Sequence, residues 1–352
     1  MRTRIILAVI LLVAALGIVA WWFLRAPSPP TPQRVSFADL PGWGTGDPSP
    51  ALAAFERSCA KPVPVFAAVC RDAASVPDAA AARAFFERHF VPYAIGDGLV
   101  TGYYEPLLHG SITPHGAYQT PVYALPDDLV TIDLGRFKPE LQGQRVTGQV
   151  DGHHVVPYPN RAAIDAHPPR ARVLFYADDP VAVFFLHIQG SGRVLLDDGR
   201  MLRVTYAGQN GRPYTAVGRT LIAQGALKRE DVSLQSIRAW LKAHPDRMRA
   251  VLETDASYVF FKDEAVADRA LGPEGTQGVA LTPNGSAAVD AQAHSFGTPL
   301  YVAGHGLVVA QDTGGAIKGA ARADLFFGFG ARAEDAAGTL KDHAAFFELR
   351  PK

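Results

Sequence analysis

Glycine and proline interrupt this chain so often that no long helical array can form. Thirty-three glycines and twenty-seven prolines are spread along 352 residues, so apolar residues come in short runs bounded by turn formers, the pattern of strands joined by mixed turns. No regular alternation of strand and helix appears, which argues for barrels rather than a doubly wound sheet. Hydrophobic residues make up 48% of the sequence, and a chain of this length is expected to divide that core between two lobes. Thirty-four basic residues balance thirty-four acidic ones. The balance excludes a nucleic-acid footprint and a polybasic membrane patch, and leaves a near-neutral or small partner.

The N-terminus is set apart from the fold. Arg2 and Arg4 precede an apolar run from Ile5 to Leu24 that ends near Trp21 and Trp22, long enough to cross a bilayer as a helix with an aromatic belt and an N-in orientation. Residues 1–25 are therefore expected to be an uncleaved membrane anchor; cleavage after Ile18-Val19-Ala20 is the competing reading. No cysteine follows that could take a lipid. Residues 26–40 begin with APSPPTPQ, a proline-rich spacer that holds the folded part off the membrane.

Further on, local signals place elements. Ser49 and Pro50 open a helix with Leu52, Phe55 and Cys59 on one face, and a second helix runs from about Ala79 to Phe90. Cys59 and Cys70, the two cysteines of the chain, are spaced for a short structural loop closed by a disulfide rather than for a redox or zinc site. Leu99 to Leu108 reads as a strand carrying GYYEP, and Asp198-Gly199 marks a hairpin between Arg193–Leu196 and Leu202–Tyr206. Asp179-Pro180 starts a short helix over Val181 to His187, and two amphipathic helices, Val217–Gln224 and Leu234–Ala243, are expected to pack outside a sheet.

Several familiar sites are excluded. The eleven histidines show no metal-ligand spacing, the adjacent His153 and His154 facing opposite ways on a strand, so neither a metal nor a cofactor is expected. Ser191 in IQGSGR lacks nucleophile-elbow spacing and reads as a turn or ligand hydroxyl. Asp312-Thr313-Gly314 matches the aspartic-peptidase tripeptide, but those enzymes need two such acids and the chain has one copy. That reading survives as a remote alternative through a symmetric dimer.

The stretch Gln311–Gly330, QDTGGAIKGAARADLFFGFG, carries the chemistry. Asp312 and Asp324 flank a glycine-rich turn between apolar runs, where a carboxyl can retain its proton near neutral pH and act as a general acid. Lys318 lies between them and could hold a neighbouring acid ionised. Tyr103, Tyr104 and Glu105 of GYYEP, with Gln189 and Ser191, add the aromatic faces, amides and hydroxyls that suit a neutral sugar polymer. The two tyrosines are consecutive on a strand, so at most one lines a given cleft.

Three pieces carry a family resemblance: VTGYYEP, HIQGSGR, and the C-terminal series GVALTPNGSAAVD, QDTGGAIKG, ADLFFGFG and AGTLKDHAAFFEL. From about Cys59 onward the chain resembles the membrane-bound lytic murein transglycosylase A family, and its end resembles the family's 3D domain, whose three aspartates match Asp290, Asp312 and Asp324. The resemblance implies a mainly β protein. A double-psi β-barrel catalytic domain (41–105 and 251–352) would carry an inserted second β-barrel domain (106–250) and a few peripheral helices, with a glycan groove between the two. It implies peptidoglycan glycan strands as substrate, with cleavage of the β-1,4 MurNAc–GlcNAc bond to a 1,6-anhydromuramoyl end. Asp324 would serve as acid and then base, with Asp312 and Asp290 in support unless they merely cap turns. A hydrolytic muramidase using Glu105 as a second carboxylate, or a glycan-binding module without activity, are the alternatives. A periplasmic place at the inner membrane and cell-wall synthesis or division proteins as further partners complete the expectation.

Overall fold

The structure is a computed structural model that describes residues 32–61, 63–73, 78–266 and 268–352. The apolar run before residue 25, most of the spacer, and hence the expected anchor lie outside the described residues. Among these, no helix is long and apolar enough to cross a membrane.

After the short β1 (Gln33–Arg34), helices Ser49–Ser58, Ala67–Ala73 and Ala79–His89 lead into a sixteen-residue strand, β2 (Phe90–Glu105). Phe55, Phe66, Phe85, Phe86 and Phe90 form a nearly water-free aromatic cluster under these helices, against Leu307, Val309 and Leu349 of the barrel behind. Cys59 and Cys70 are disulfide-bonded, tying the first helix to the second.

The chain then leaves for an insert. There β3 (Leu107–Ser111), β4 (Thr120–Tyr123), β5 (Leu129–Asp133), β6 (Arg145–Asp151), β7 (His154–Pro157), β8 (Val173–Ala177), β9 (Ser191–Leu196), β10 (Met201–Gln209) and β11 (Val259–Ala265) follow in turn. Six of them form one sheet in the order β11-β10-β9-β3-β8-β4, and β5, β6 and β7 form a separate three-stranded sheet. A parallel bridge between Ala124 and Phe261 brings the β4 edge back to β11, so the larger sheet curls on itself. The hairpin at Asp198-Gly199 pairs β9 with β10 as its turn residues require, with Gly199 at φ +84°. β11, which the sequence-based division puts on the barrel side, is the edge strand of the insert's sheet.

Helix Pro180–Gln189 is capped by the Asp179 side chain, which accepts from Val181 and Ala182 N–H. Leu186 and Val183 face the insert's sheet, while Val181, Phe184 and Phe185 face outward. The amphipathic helices Val217–Ala223, Leu234–Ala243 and Pro245–Leu252 cover that outward side. They rest on another helix rather than on strands, because the Pro180–Gln189 helix is apolar on two faces.

The chain returns as β12 (Ser286–Val289), β13 (Pro299–Val302), β14 (Gly306–Asp312), β15 (Arg322–Phe329) and β16 (Lys341–Pro351), with helix Ala331–Thr339 before the last strand. The order β2-β15-β12-β14-β13-β16 closes because β16 pairs again with β2, giving a barrel of six strands with no free edge. The interior alternates small and large residues, Ala287, Ala310 and Ala323 among Val289, Leu300, Val308 and Phe346, which fits the taper of a small barrel. At Gly98 the backbones of β2 and the approach to β15 come so close that a Cβ would lie 1.6 Å from the carbonyl oxygen of Ala321.

Both crossings between barrel and insert meet at one buried carboxylate. Glu105, fully buried at the end of β2, accepts from Arg193 Nε at 3.0 Å and from Arg203 Nε and Nη2 at 2.6 and 3.2 Å. Arg193 and Arg203 spend their other donors on the carbonyls of Arg269 and Leu271, on the returning segment. The Arg193 guanidinium also lies over the Phe329 ring.

Candidate active site

Strand register brings the site together. Thr101 on β2 pairs with Asp324 on β15, Asp324 pairs with Ala288 on β12, and Ala288 pairs with Asp312 on β14. Four residues thus form one row across four adjacent strands, and the two acids lie two strands apart, about 10 Å between backbones. The methyl of Ala288 leaves the space between them open, and all three of Asp324, Ala288 and Asp312 line a groove of about 720 Å³. The barrel forms one wall of that groove. The insert forms the other, through Gln189, Ser191, Thr205, Tyr206, Gln209 and Lys262.

Asp324 is partly buried at the groove floor. Its loss of solvation pushes the carboxyl pKa upward, and the negative charge of Asp312 adds to this, while the Thr101 hydrogen bond and Arg322 oppose it. Thr101 Oγ1 donates to Asp324 Oδ1 at 2.5 Å and itself accepts from Arg322 Nη2 at 2.8 Å. Because the arginine occupies a threonine lone pair, the hydroxyl hydrogen is committed to Oδ1, which leaves Oδ2 as the oxygen open to other partners.

Asp312 is held differently. Its Oδ1 accepts from the Thr276 N–H and hydroxyl and from the Thr313 N–H, at 3.0, 2.8 and 2.9 Å. Tyr103 Oη donates to Oδ2 at 3.1 Å. Three donors on Oδ1 and one on Oδ2 hold this carboxylate in place and occupy most of its lone pairs. Tyr103, tilted against Phe326 with ring centres 5.2 Å apart, stays a neutral phenol because burial and both aspartates push its pKa well up.

The remaining residues singled out from the sequence divide. Gln189 ends its helix, Gly190 turns the chain at φ +79°, and Gln189 Oε1 accepts from the Tyr104 N–H at 3.1 Å, so the amide stitches insert to barrel at the groove edge. Ser191 lines the groove from β9. Tyr104 points the other way, packed on Ala333 and Ala337 of the last helix, as strand alternation requires. Glu105 is sealed between its two arginines. Asp290, just after β12, accepts from the Gly319 and Gln292 N–H groups, and these bonds with the nearby Lys318 charge hold its pKa below the ordinary range. It therefore pins the Lys318 loop, and neither it nor the exposed Lys318 lines the groove. Thr101, Arg322, Thr276, Lys262, Glu264 and Glu274 were not singled out from the sequence. Thr101 alone had a local signal, since it alternates with Tyr103 along β2 and so shares its face.

A closed barrel joined to a β-rich insert, with a partly buried acid in the groove between them, defines a two-domain β protein with a candidate general acid at the domain junction. Comparison with known proteins gives the family. Residues 99–262 match the MltA specific insert domain and residues 285–350 match the 3D domain. A membrane-bound lytic murein transglycosylase from Agrobacterium tumefaciens superimposes with a TM-score of 0.80 at 33% identity, over 91% of this chain and 98% of that one. Escherichia coli MltA with bound chitohexaose does so with a TM-score of 0.64 at 26% identity, over 93% of each chain. The curated membrane-bound lytic murein transglycosylase A of E. coli K12 is 31% identical over 272 residues, which span 72% of this chain and 66% of that relative's own length. The chain belongs to the membrane-bound lytic murein transglycosylase A family, and its six-stranded barrel is the double-psi β-barrel of that fold.

Proposed function

We propose that the protein cleaves the β-1,4 bond between N-acetylmuramic acid and N-acetylglucosamine in peptidoglycan without water, using Asp324 alone for both proton transfers. The carboxyl gives its Oδ2 proton to the leaving glycosidic oxygen as the muramoyl C1–O bond breaks. The resulting carboxylate takes the proton of the muramoyl C6 hydroxyl as that oxygen attacks C1, closing the 1,6-anhydro ring and restoring the acid. The fixed charge of Asp312 faces the ring while positive charge develops there.

The observation that carries this reading is the inequality of the two acids in one row. One is raised in pKa with a free oxygen, the other is held in place by four donors. Glu105, the candidate second carboxylate of a hydrolase, has no path to the groove. The position of Asp312 two strands from Asp324 is what favours an inverting muramidase, the second reading. Mass analysis of fragments released from purified sacculi separates the two: anhydromuramoyl ends are expected, and reducing muramic acid ends would overturn the proposal.

The protein is proposed to work from the periplasmic face of the inner membrane, held by the apolar run before residue 25. Deleting residues 1–33 should move it from the membrane to the soluble fraction, and an unchanged distribution would refute the anchor.

A further inference from the structure

A second cavity, of about 700 Å³, lies beside the groove, between the end of β10 and the three-stranded sheet of β5, β6 and β7. Tyr206 and Gln209 line both spaces, so the two adjoin along β10. Their charges are opposite. Among the described residues, the groove is lined by Asp312, Asp324, Glu264 and Glu274 against a single lysine, Lys262. The second cavity is lined by Arg145 and Arg212 and by no acid.

Arg212 is built into its wall. Gly211 turns the chain at φ +72°, and a Cβ there would lie 2.9 Å from Thr147 Cβ, so β6 packs tightly on the turn. Asn210 is buried, donates to the carbonyls of Pro159 and Ala256, and accepts from the Arg212 N–H at 3.3 Å. Pro213 restricts Arg212 to extended backbone. The side chain is half-buried, and its Nε donates to the Tyr158 carbonyl at 2.7 Å. Its Nη1 and Nη2 have no partner among the described residues. The buried arginines Arg161, Arg193 and Arg203 each pair with a carboxylate; Arg212 does not. Arg145, exposed on β6, likewise has no hydrogen bond or ion pair among the described residues. Asp133, opposite it on β5, accepts from the Gly135 N–H at 3.1 Å instead.

A guanidinium with both outer nitrogens open matches a carboxylate, which it binds through two parallel hydrogen bonds. A neutral sugar has no charge to offer it. Peptidoglycan also carries a short peptide with free carboxylates, attached to the lactyl group of muramic acid. The acidic lining of the groove repels such a peptide, and the basic cavity next to it along β10 attracts it. Val155, Val156 and Pro213, also lining the cavity, offer apolar surface to aliphatic side chains.

We infer that this cavity binds the acidic stem peptide of a muramoyl unit seated in the groove, with Arg212 pairing to a peptide carboxylate and Arg145 adding positive charge from β6. The inference rests on the proposed substrate and adds a peptide site to it.

The test uses the full-length chain carrying Asp324→Asn, to prevent turnover, and two ligands. One is a peptidoglycan tetrasaccharide bearing its uncross-linked peptides, the other the same tetrasaccharide stripped of them by an amidase. Affinities are measured by calorimetry before and after adding Arg212→Gln or Arg145→Gln. Arg212→Gln should weaken binding of the peptide-bearing ligand roughly three- to tenfold, the worth of a charge-assisted pair discounted for partial exposure, and leave the stripped ligand unchanged. Arg145→Gln should act in the same direction with a smaller loss. It has no bond in the protein to break, so the fold is retained even if Arg212→Gln disturbs its turn. Equal loss for both ligands, as a cavity holding more of the glycan would give, or no loss for either, overturns the inference while leaving the cleavage reading intact. Failure of the Asp324→Asn chain to bind either ligand overturns both.

Discussion

Replacing Glu105 with glutamine should loosen the protein at its two domain crossings. The carboxylate is fully buried and is the shared counter-charge of Arg193 and Arg203, accepting three N–H bonds between 2.6 and 3.2 Å. Glutamine keeps one carbonyl oxygen but turns an NH2 against a guanidinium that can only donate. Two charge-assisted bonds at about 1.5–3 kcal/mol each are lost or inverted, and two buried cations lose their compensation, so the expected cost is about 3–5 kcal/mol. For units of this size that is a fall in Tm of roughly 6–20 °C. Scanning calorimetry of the variant beside Asp198→Asn supplies the contrast, because the Asp198–Arg200 pair is exposed and worth at most about 1 kcal/mol. Adding Arg203→Met to Glu105→Gln should cost less than the sum of the single changes, since both remove the same contact. A Glu105→Gln chain that melts with the Asp198→Asn chain would refute the assignment of the crossings' stability to this carboxylate.

Thr101→Val should move the alkaline limb of the activity profile to higher pH. The Thr101 hydrogen bond favours the charged form of Asp324, so its removal raises the pKa of an acid that must be protonated to act; a downward shift would contradict the assignment. Gly98→Ala should destabilise by at least about 3 kcal/mol, because its Cβ would strike the backbone of Ala321. Gly44→Ala, with nothing within 4 Å of the added atom, is the control and should stay within about 1 kcal/mol of the parent in denaturant titration.

What could be read from the sequence was what local physics decides. Ser233 opens the Leu234–Ala243 helix by accepting from the Ser236 N–H, and Asp198-Gly199 turns the hairpin. Alternation predicted that only one of Tyr103 and Tyr104 faces the cleft, and Tyr103 is the one. Ser49 opens its helix slightly differently from expectation: its N–H bonds to the Asp47 carboxylate, and Pro48 precedes the first turn. Glu105 reads as a groove residue from the sequence because it lies on the GYYEP segment. Its arginine partners lie 88 and 98 positions away, and nothing local announces them. The same holds for the row Thr101–Asp324–Ala288–Asp312, which exists only after four strands from both ends of the chain pair.

The claim that one acid performs both transfers is tested most directly by digesting sacculi in heavy-oxygen water. The parent chain, Asp324→Asn and Asp312→Asn are compared, and the muramoyl ends are read by mass spectrometry. Anhydro ends carrying no heavy oxygen are expected from the parent, no products from Asp324→Asn, and the same products at a reduced rate from Asp312→Asn. Heavy oxygen at the new muramoyl ends, or undiminished cleavage by Asp324→Asn, would contradict it.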